Sequence, residues 1–246
     1  MLQDNSAINL TVGVHSDRGR RRKTNQDRYF ISAETGVFVI ADGMGGHQSG
    51  ELAAEIAVAH LSQASGNASA LPLDKSLQQH MVEANSAIFS RANEDEHKGM
   101  GTTAIAALVR GSDLYAAHVG DSRLYRFRRG ELLQLSRDHS MLQDLIDQGF
   151  YTERVSRGTG IGHVLTRSLG TKASVISDSI HCELEAEDLL LFCSDGLSDL
   201  VADWLIVDTL TDCQGDLDAS CRLLVNEANR AGGTDNVTVL LVRCGA

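Results

Sequence analysis

The sequence predicts an α+β protein built on antiparallel sheet. Short apolar runs come in pairs joined by tight turns that carry Gly or Asp, which favours antiparallel pairing. Helical periodicities come in blocks and do not alternate singly with strands, which favours a layered α+β fold over a doubly wound one. The chain has 246 residues, 42% of them hydrophobic, so it can fill one sizeable layered core.

Taken in order, residues 8–14 alternate apolar and polar side chains, as a half-buried strand does. Residues 28–32 and 37–41 read as a hairpin around Glu34-Thr35-Gly36. Residues 52–61 carry apolar side chains at helical spacing, with Ser49 as the expected N-cap. The stretch 62–72, rich in Ser, Ala, Gly and Asn and closed by Pro72, the chain's one proline, reads as a surface loop. A second amphipathic helix spans 77–92, with Leu77, Met81, Ala84, Ile88 and Arg91 on neighbouring turns. Two hairpins follow, 103–109 with 114–119 and 124–127 with 132–135. Residues 141–148 are helical and stop at Gly149. Residues 150–163 are polar and hold three glycines, the pattern of a mobile surface segment. Strands are expected at 175–182, 188–194 and 237–243, and helices at 199–210 and 217–231.

The net charge is −11 with His neutral. Such a chain repels nucleic acid and anionic membranes, so neither is an expected partner. It repels phosphorylated substrates as well, unless bound divalent cations or clustered arginines reverse the sign locally. The five cysteines include no Cys-x-x-Cys pair; they read as buried small apolar residues in a reducing compartment. The N-terminus has neither the basic nor the apolar region of a secretory signal. No apolar run approaches the roughly 18 residues that span a bilayer. The expectation is a soluble cytoplasmic protein.

Five aspartates share one context, at a strand end in a turn of small residues. Asp42 follows Val37-Phe38-Val39-Ile40-Ala41, Asp121 follows a run ending in Val119-Gly120, and Asp195 follows one ending in Phe192-Cys193-Ser194. Asp235 precedes Asn236-Val237-Thr238-Val239, and Asp27 opens a strand. Carboxylates at strand ends can converge at one sheet edge, and Mg²⁺ and Mn²⁺ take such oxygen ligands. Each Asp is also a good turn former, so spacing alone leaves both readings open. The loop Gly43-Met44-Gly45-Gly46 is no Walker phosphate loop, because no Gly-Lys-Ser/Thr follows.

Eight motifs then carry a resemblance. They are Arg22-Lys23-Thr24-Asn25-Gln26-Asp27, Ala41-Asp42-Gly43-Met44-Gly45-Gly46-His47, Gly99-Met100-Gly101-Thr102-Thr103, Gly120-Asp121-Ser122-Arg123, Asp138-His139-Ser140, Leu165-Thr166-Arg167-Ser168-Leu169-Gly170, Cys193-Ser194-Asp195-Gly196-Leu197 and Thr234-Asp235-Asn236-Val237-Thr238. In this order the chain resembles the protein phosphatase 2C (PPM) family, in its small free-standing bacterial form.

The resemblance implies a four-layer α-β-β-α sandwich with two central antiparallel sheets. It implies one catalytic domain over residues 1–246, with a flap at about 141–170. It implies hydrolysis of phosphoserine and phosphothreonine on proteins by a hydroxide bridging two Mn²⁺ or Mg²⁺ ions, with no covalent enzyme intermediate. Asp42 would bridge the two ions. Asp27 and the Gly43 carbonyl would complete one site, and Asp195 and Asp235 the other. Asp121 matches the acid of a third, weaker ion shared with Asp195, and Asp199 is a further candidate there. Arg22 matches the arginine that grips the phosphate, and Arg20, Arg21 and Lys23 extend its positive patch. His47 is the candidate for protonating the leaving oxygen, ahead of His139 and His163. Many bacterial members carry His-Pro and a following Asn in the flap, where this chain has Ser156-Arg157-Gly158-Thr159-Gly160-Ile161-Gly162-His163. The implied partners are phosphoproteins, those of a Ser/Thr kinase, acted on by a monomer. Two alternatives are a catalytically silent phosphoprotein- or kinase-binding module and a phosphatase of a sigma-factor regulator. Inactive relatives typically lose metal acids, and this chain keeps five.

Overall fold

The computed structural model describes residues 9–45, 49–64, 71–151, 164–212 and 215–245. One five-stranded sheet has the order β1 (Leu10–Asp17), β11 (Val237–Cys244), β10 (Leu189–Cys193), β7 (Arg123–Arg128), β8 (Glu131–Gln134). The second runs β2 (Asp27–Ser32), β3 (Val37–Met44), β5 (Ala104–Arg110), β6 (Asp113–Val119), β9 (Asp178–Glu183), with the short β4 (Gly101–Thr102) beside the end of β3. Every strand pairing among the described residues is antiparallel.

Period-two alternation makes the layers. On β3, Val37, Val39 and Ala41 face α1 (Ser49–Leu61) and α2 (Leu73–Ala92). Phe38 and Ile40 face the opposite sheet and meet Leu190, Phe192, Leu240 and Val242. On β10 and β11, Leu191, Cys193, Val239 and Leu241 face outward onto α4 (Asp195–Ser198), α5 (Asp203–Thr211) and α6 (Leu217–Arg230). The result is the expected α-β-β-α sandwich. Phe38 and Phe192 bridge the two sheets, their ring centroids 6.2 Å apart. α6 buries Leu217, Cys221, Leu224, Val225 and Ala228 at helical spacing, and the Asp216 side chain caps it by accepting from Ala219 N at 2.9 Å.

Several boundaries differ from the sequence expectation. The first strand starts at Leu10 and runs on to Asp17, because its pairing with β11 extends that far. The strand expected from 175 begins at Asp178. The helix expected over 199–210 is two: α4 ends at Ser198, Ala202 is extended (φ −74°, ψ 147°), and α5 begins at Asp203. That break turns Ile206 and Leu210 onto the sheet. Ser49 lies inside the first turn of α1 and donates its hydroxyl to Glu96 O at 3.5 Å, so it is not the cap. α3 (Met141–Asp147) ends as expected, with Gly149 at φ 78°. Of the surface loop over 62–72, residues 65–70 lie outside the described residues, as does Cys213. Cys193, Cys221 and Cys244 are buried and Cys182 is partly so, all as free thiols. Among the described residues no helix is long and apolar enough to cross a membrane.

Candidate active site

The strand alternation decides where the acids point. Asp42 continues the Phe38–Ile40 face of β3, so its side chain lies on the side that meets the other sheet. Asp27 is its direct cross-strand partner on β2. From the opposite sheet, β10 ends at Cys193 and delivers Asp195 at the head of α4, while Asp235 stands two residues before the start of β11. Asp121 follows the end of β6. One cleft of about 440 Å³ is lined by Arg22, Asp42, Gly43, Asp121, Asp195, Asp199 and Asp235, together with Gln26, Thr103, Leu165 and Thr234. Asp27 lies behind it, 3% exposed. Of the residues singled out in the sequence, His47 and His163 lie outside the described residues, as does the flap stretch 156–163.

The acids are held to different degrees: Asp235 accepts at both oxygens, from Arg22 and from Asn236 N. Asp27 Oδ2 accepts from the Thr238 hydroxyl at 2.6 Å and the Ser194 hydroxyl at 2.8 Å, both from the other sheet. Its Oδ1 is buried without a hydrogen-bond partner, and so is Oδ1 of Asp195. The main chain of Asp42 is fixed on both sides. Its N–H donates to Thr103 Oγ1 at 3.1 Å, and its carbonyl accepts from Thr103 N at 2.9 Å and from the Thr102 hydroxyl at 2.8 Å. At Gly43 a Cβ would stand 2.1 Å from Gly50 O, so only glycine lets this strand end lie against the start of α1.

Electrostatics follow from crowding. Burial pushes Asp27 up to about 6, opposed by its two hydroxyl donors. Burial, then Asp138 and Asp199, push Asp121 up to about 7. Asp42 rises well above the usual carboxylate range through burial and the charges of Asp27, Asp195 and Asp121. Asp195 rises likewise, through burial and then Asp121, Asp199 and Asp235. Five acids this close are costly to ionise together, and divalent cations remove that cost. The acids offer only hard oxygens, two of their carboxylate oxygens have no hydrogen-bond partner, and among the described residues neither His nor Cys lines the cleft. That set suits Mg²⁺ or Mn²⁺ completed by water. No three of these acidic oxygens lie within 4.8 Å of one another among the described residues.

Arg22 stands at the rim, half exposed, and donates to Asp235 Oδ2 at 2.5 Å. The basic turn that carries it is fastened by residues to which sequence reasoning gave no role. Asn236 Nδ2 donates to Arg18 O and Thr24 O, both at 2.9 Å, and its Oδ1 accepts from Gln26 N at 2.9 Å. Gly233 O accepts from Arg20 N and Arg21 N. Ser194, Thr238 and Asn236 all sit inside motifs quoted above, so the signal was present but not their function. A second groove of about 460 Å³ lies between α5 and α6, lined by Asp208, Asp212, Leu223 and Glu227 among others. It holds none of the strand-end acids.

The family described as Protein phosphatase 2C matches residues 16–224 of this chain. The serine/threonine phosphatase stp of Listeria welshimeri is 35% identical over 235 residues, covering 92% of this chain and 93% of that protein. The serine/threonine protein phosphatase PstP of Mycobacterium tuberculosis is 36% identical over 233 residues, covering 94% of this chain and 44% of that longer protein. Among solved structures, the PstP catalytic domain in complex with two manganese ions matches with a TM-score of 0.87 at 35% identity, over 96% of this chain and 99% of that one. Stp1 of Staphylococcus aureus matches with a TM-score of 0.89 at 30% identity, over 96% of each chain.

Proposed function

The chain belongs to the protein phosphatase 2C family and is a metal-dependent protein serine/threonine phosphatase, and we propose that the cleft between its two sheets is where the phosphate ester is hydrolysed. The observation that carries the assignment is the pair of buried carboxylate oxygens without hydrogen-bond partners, on Asp27 and Asp195.

In this reading Asp42, with Asp27 and the Gly43 carbonyl on one side and Asp195 and Asp235 on the other, would hold two divalent cations. Asp121, with Asp195 and Asp199, would hold a weaker third. Bound Mn²⁺ or Mg²⁺ supplies Lewis acidity and a water acidified toward neutral pH. The chain's own groups do the rest. Ser194 and Thr238 hold one oxygen of Asp27 so that the other faces the cleft. Thr102 and Thr103 lock the peptide that aims Asp42. Arg22 leaves Asp235 and turns its planar fork to two phosphate oxygens, spreading the charge that grows on them. Arg20, Arg21 and Lys23, exposed beside it, draw a dianionic substrate toward an acidic protein. His47 donates the proton to the departing Ser or Thr oxygen. The substrates are phosphoproteins of a Ser/Thr kinase.

Hydrolysis of matched phosphothreonine and phosphotyrosine peptides tests this. The phosphothreonine peptide is expected to turn over with Mn²⁺ and not with EDTA. Arg22→Ala is expected to raise KM about 10–100-fold, the worth of a charged hydrogen bond of roughly 1.5–3 kcal/mol. Preference for the phosphotyrosine peptide, or turnover in EDTA, contradicts the reading.

A further inference from the structure

Outside the acid cleft, one cluster of buried ionisable groups is unexplained by the chemistry above. His118 on β6 pairs across the sheet with Asp178 on β9. His139 lies in the loop after β8, in Asp138-His139-Ser140. Both histidines are 1% exposed. Their rings stack at 4.7 Å with planes 19° apart. One ligand atom from each histidine and one from Asp178 lie within 4.8 Å of one another. Two features argue against a third kind of metal site here. Stacked, nearly parallel rings hold their in-plane lone pairs in separate planes, which does not suit convergence on one ion. Arg167 Nη1 stands 3.2 Å from His139 Nε2 and 2.6 Å from Asp178 Oδ1, so a cation is already present.

The hydrogen bonds of His139 define its tautomer instead. Its Nδ1 accepts from Gly120 N at 3.2 Å and therefore carries no proton. Its Nε2 then carries the proton and donates toward Asp178 Oδ2 at 3.2 Å, so Arg167 Nη1, 3.2 Å from the same Nε2, does not hydrogen-bond to it and donates to Asp178 Oδ1 at 2.6 Å. The main chain of His139 donates to Gly120 O at 3.0 Å and accepts from Thr166 N at 2.9 Å. One residue thus holds both polar groups of Gly120 and also the segment that includes Leu165 and Arg167. Gly120 sits at φ 106°, where a Cβ would stand 2.6 Å from the Thr103 side chain. The residue after it is Asp121, and Leu165 lines the same cleft.

We propose that His139, as the neutral Nε2–H tautomer, is the positioning residue of the Asp121 corner, clamping the Gly120 turn and tying it through Asp178 to Arg167 beside the cleft. This rests on the reading above only in taking Asp121 as an ion ligand. The surroundings keep His139 neutral. Burial and the nearby Arg167 and Arg137 lower its pKa, against the opposing pull of Asp178. The stacked His118 is held down to about 4 by burial and by His139, so it brings no charge of its own at neutral pH.

Two substitutions separate the two ends of the ring. His139→Asn keeps an acceptor near Nδ1 and loses Nε2; His139→Gln reaches toward Nε2 and loses the acceptor for Gly120. The first measurement is long-range nitrogen–proton NMR of the wild-type histidines. The expected result is a bare Nδ1 and a protonated Nε2 at His139; the opposite tautomer, or an imidazolium at pH 7, overturns the proposal whatever the enzyme does. The second is Mn²⁺ binding, followed by electron paramagnetic resonance of the free ion, on variants whose melting curves show them folded. The weakest Mn²⁺ step is expected to stay within about threefold in His139→Asn and to weaken about 10–100-fold in His139→Gln, the usual size of an effect transmitted through a ligand's support. Equal binding in all three proteins, or the reverse order, overturns it. Wild type that binds no Mn²⁺ contradicts the phosphatase-centre reading, while the tautomer measurement still decides the role of His139.

Discussion

Asp27 is a carboxylate that the fold buries, lifts toward about 6 and yet supplies with hydrogen bonds at only one oxygen. Both donors come from the facing sheet, 167 and 211 residues away in the chain. This explains why the acids were legible in the sequence and their supports were not. An Asp after a run of apolar residues stands out. Ser194 and Thr238 look like ordinary strand residues until the sheets are stacked. The same holds for His118, His139 and Asp178, which sit in three separate segments and meet only through the β6–β9 pairing and the turn at Gly120. If the two hydroxyls orient Asp27 for an ion, the double variant Ser194→Ala/Thr238→Val should bind Mn²⁺ about 10–100-fold more weakly with its fold intact. Calorimetric titration measures it, and unchanged affinity would remove the hydroxyls from the account.

At the scale of elements, alternation along β3 does two jobs at once. Phe38 and Ile40 fill the space between the sheets, and the same face carries Asp42 to the rim. Hairpins were readable because their turns are short and marked. The break between α4 and α5 was not, since no Pro or Gly marks Ala202 and only packing against the sheet demands it. Ser49 was read as a cap from its type, but the fold draws its hydroxyl to Glu96. Phe38 tests the element-level claim. Phe38→Ala should cost about 3–5 kcal/mol, as large cavities in closed cores do, read as a lower urea midpoint. A loss under about 1 kcal/mol would mean that the two sheets do not depend on this contact.

For the molecule as a whole, a net charge of −11 and a cleft of crowded acids make stability depend on pH. Unfolded aspartates ionise near pH 3.9. In the fold, burial raises Asp27 to about 6 and Asp121 to about 7, and it lifts Asp42 and Asp195 well above the usual carboxylate range. The folded chain therefore keeps protons that the unfolded chain has released. Its stability from these groups is complete below about pH 4 and is lost as the pH climbs through 6 and 7. His118 runs the other way: burial lowers it to about 4, so its contribution is full above about pH 6.5 and lost as the pH falls toward 4. Above about pH 6.5 the acids act alone. Chelator-treated protein should accordingly melt at a lower temperature at pH 8 than at pH 6.5. Added Mn²⁺ should raise the melting temperature more at pH 8, because binding to the folded state adds stability by mass action. A larger rise at pH 6.5 would contradict the assignment of these acids as ion ligands.

The family was legible over most of the chain because eight short motifs keep their order, and the match over residues 16–224 spans all but the last of them. The central claim is that Asp42 and Asp235, joined from opposite sheets, hold the ions that make this cleft a phosphatase. The most direct measurement is p-nitrophenyl phosphate hydrolysis by chelator-dialysed wild type, Asp42→Ala and Asp235→Ala across a Mn²⁺ titration. Wild type should be silent without Mn²⁺ and activated by it. Both variants should fall by at least about 100-fold at any Mn²⁺ concentration, the upper end of what loss of a mere supporting partner costs. Hydrolysis without added metal, or either variant matching wild type, would contradict the account.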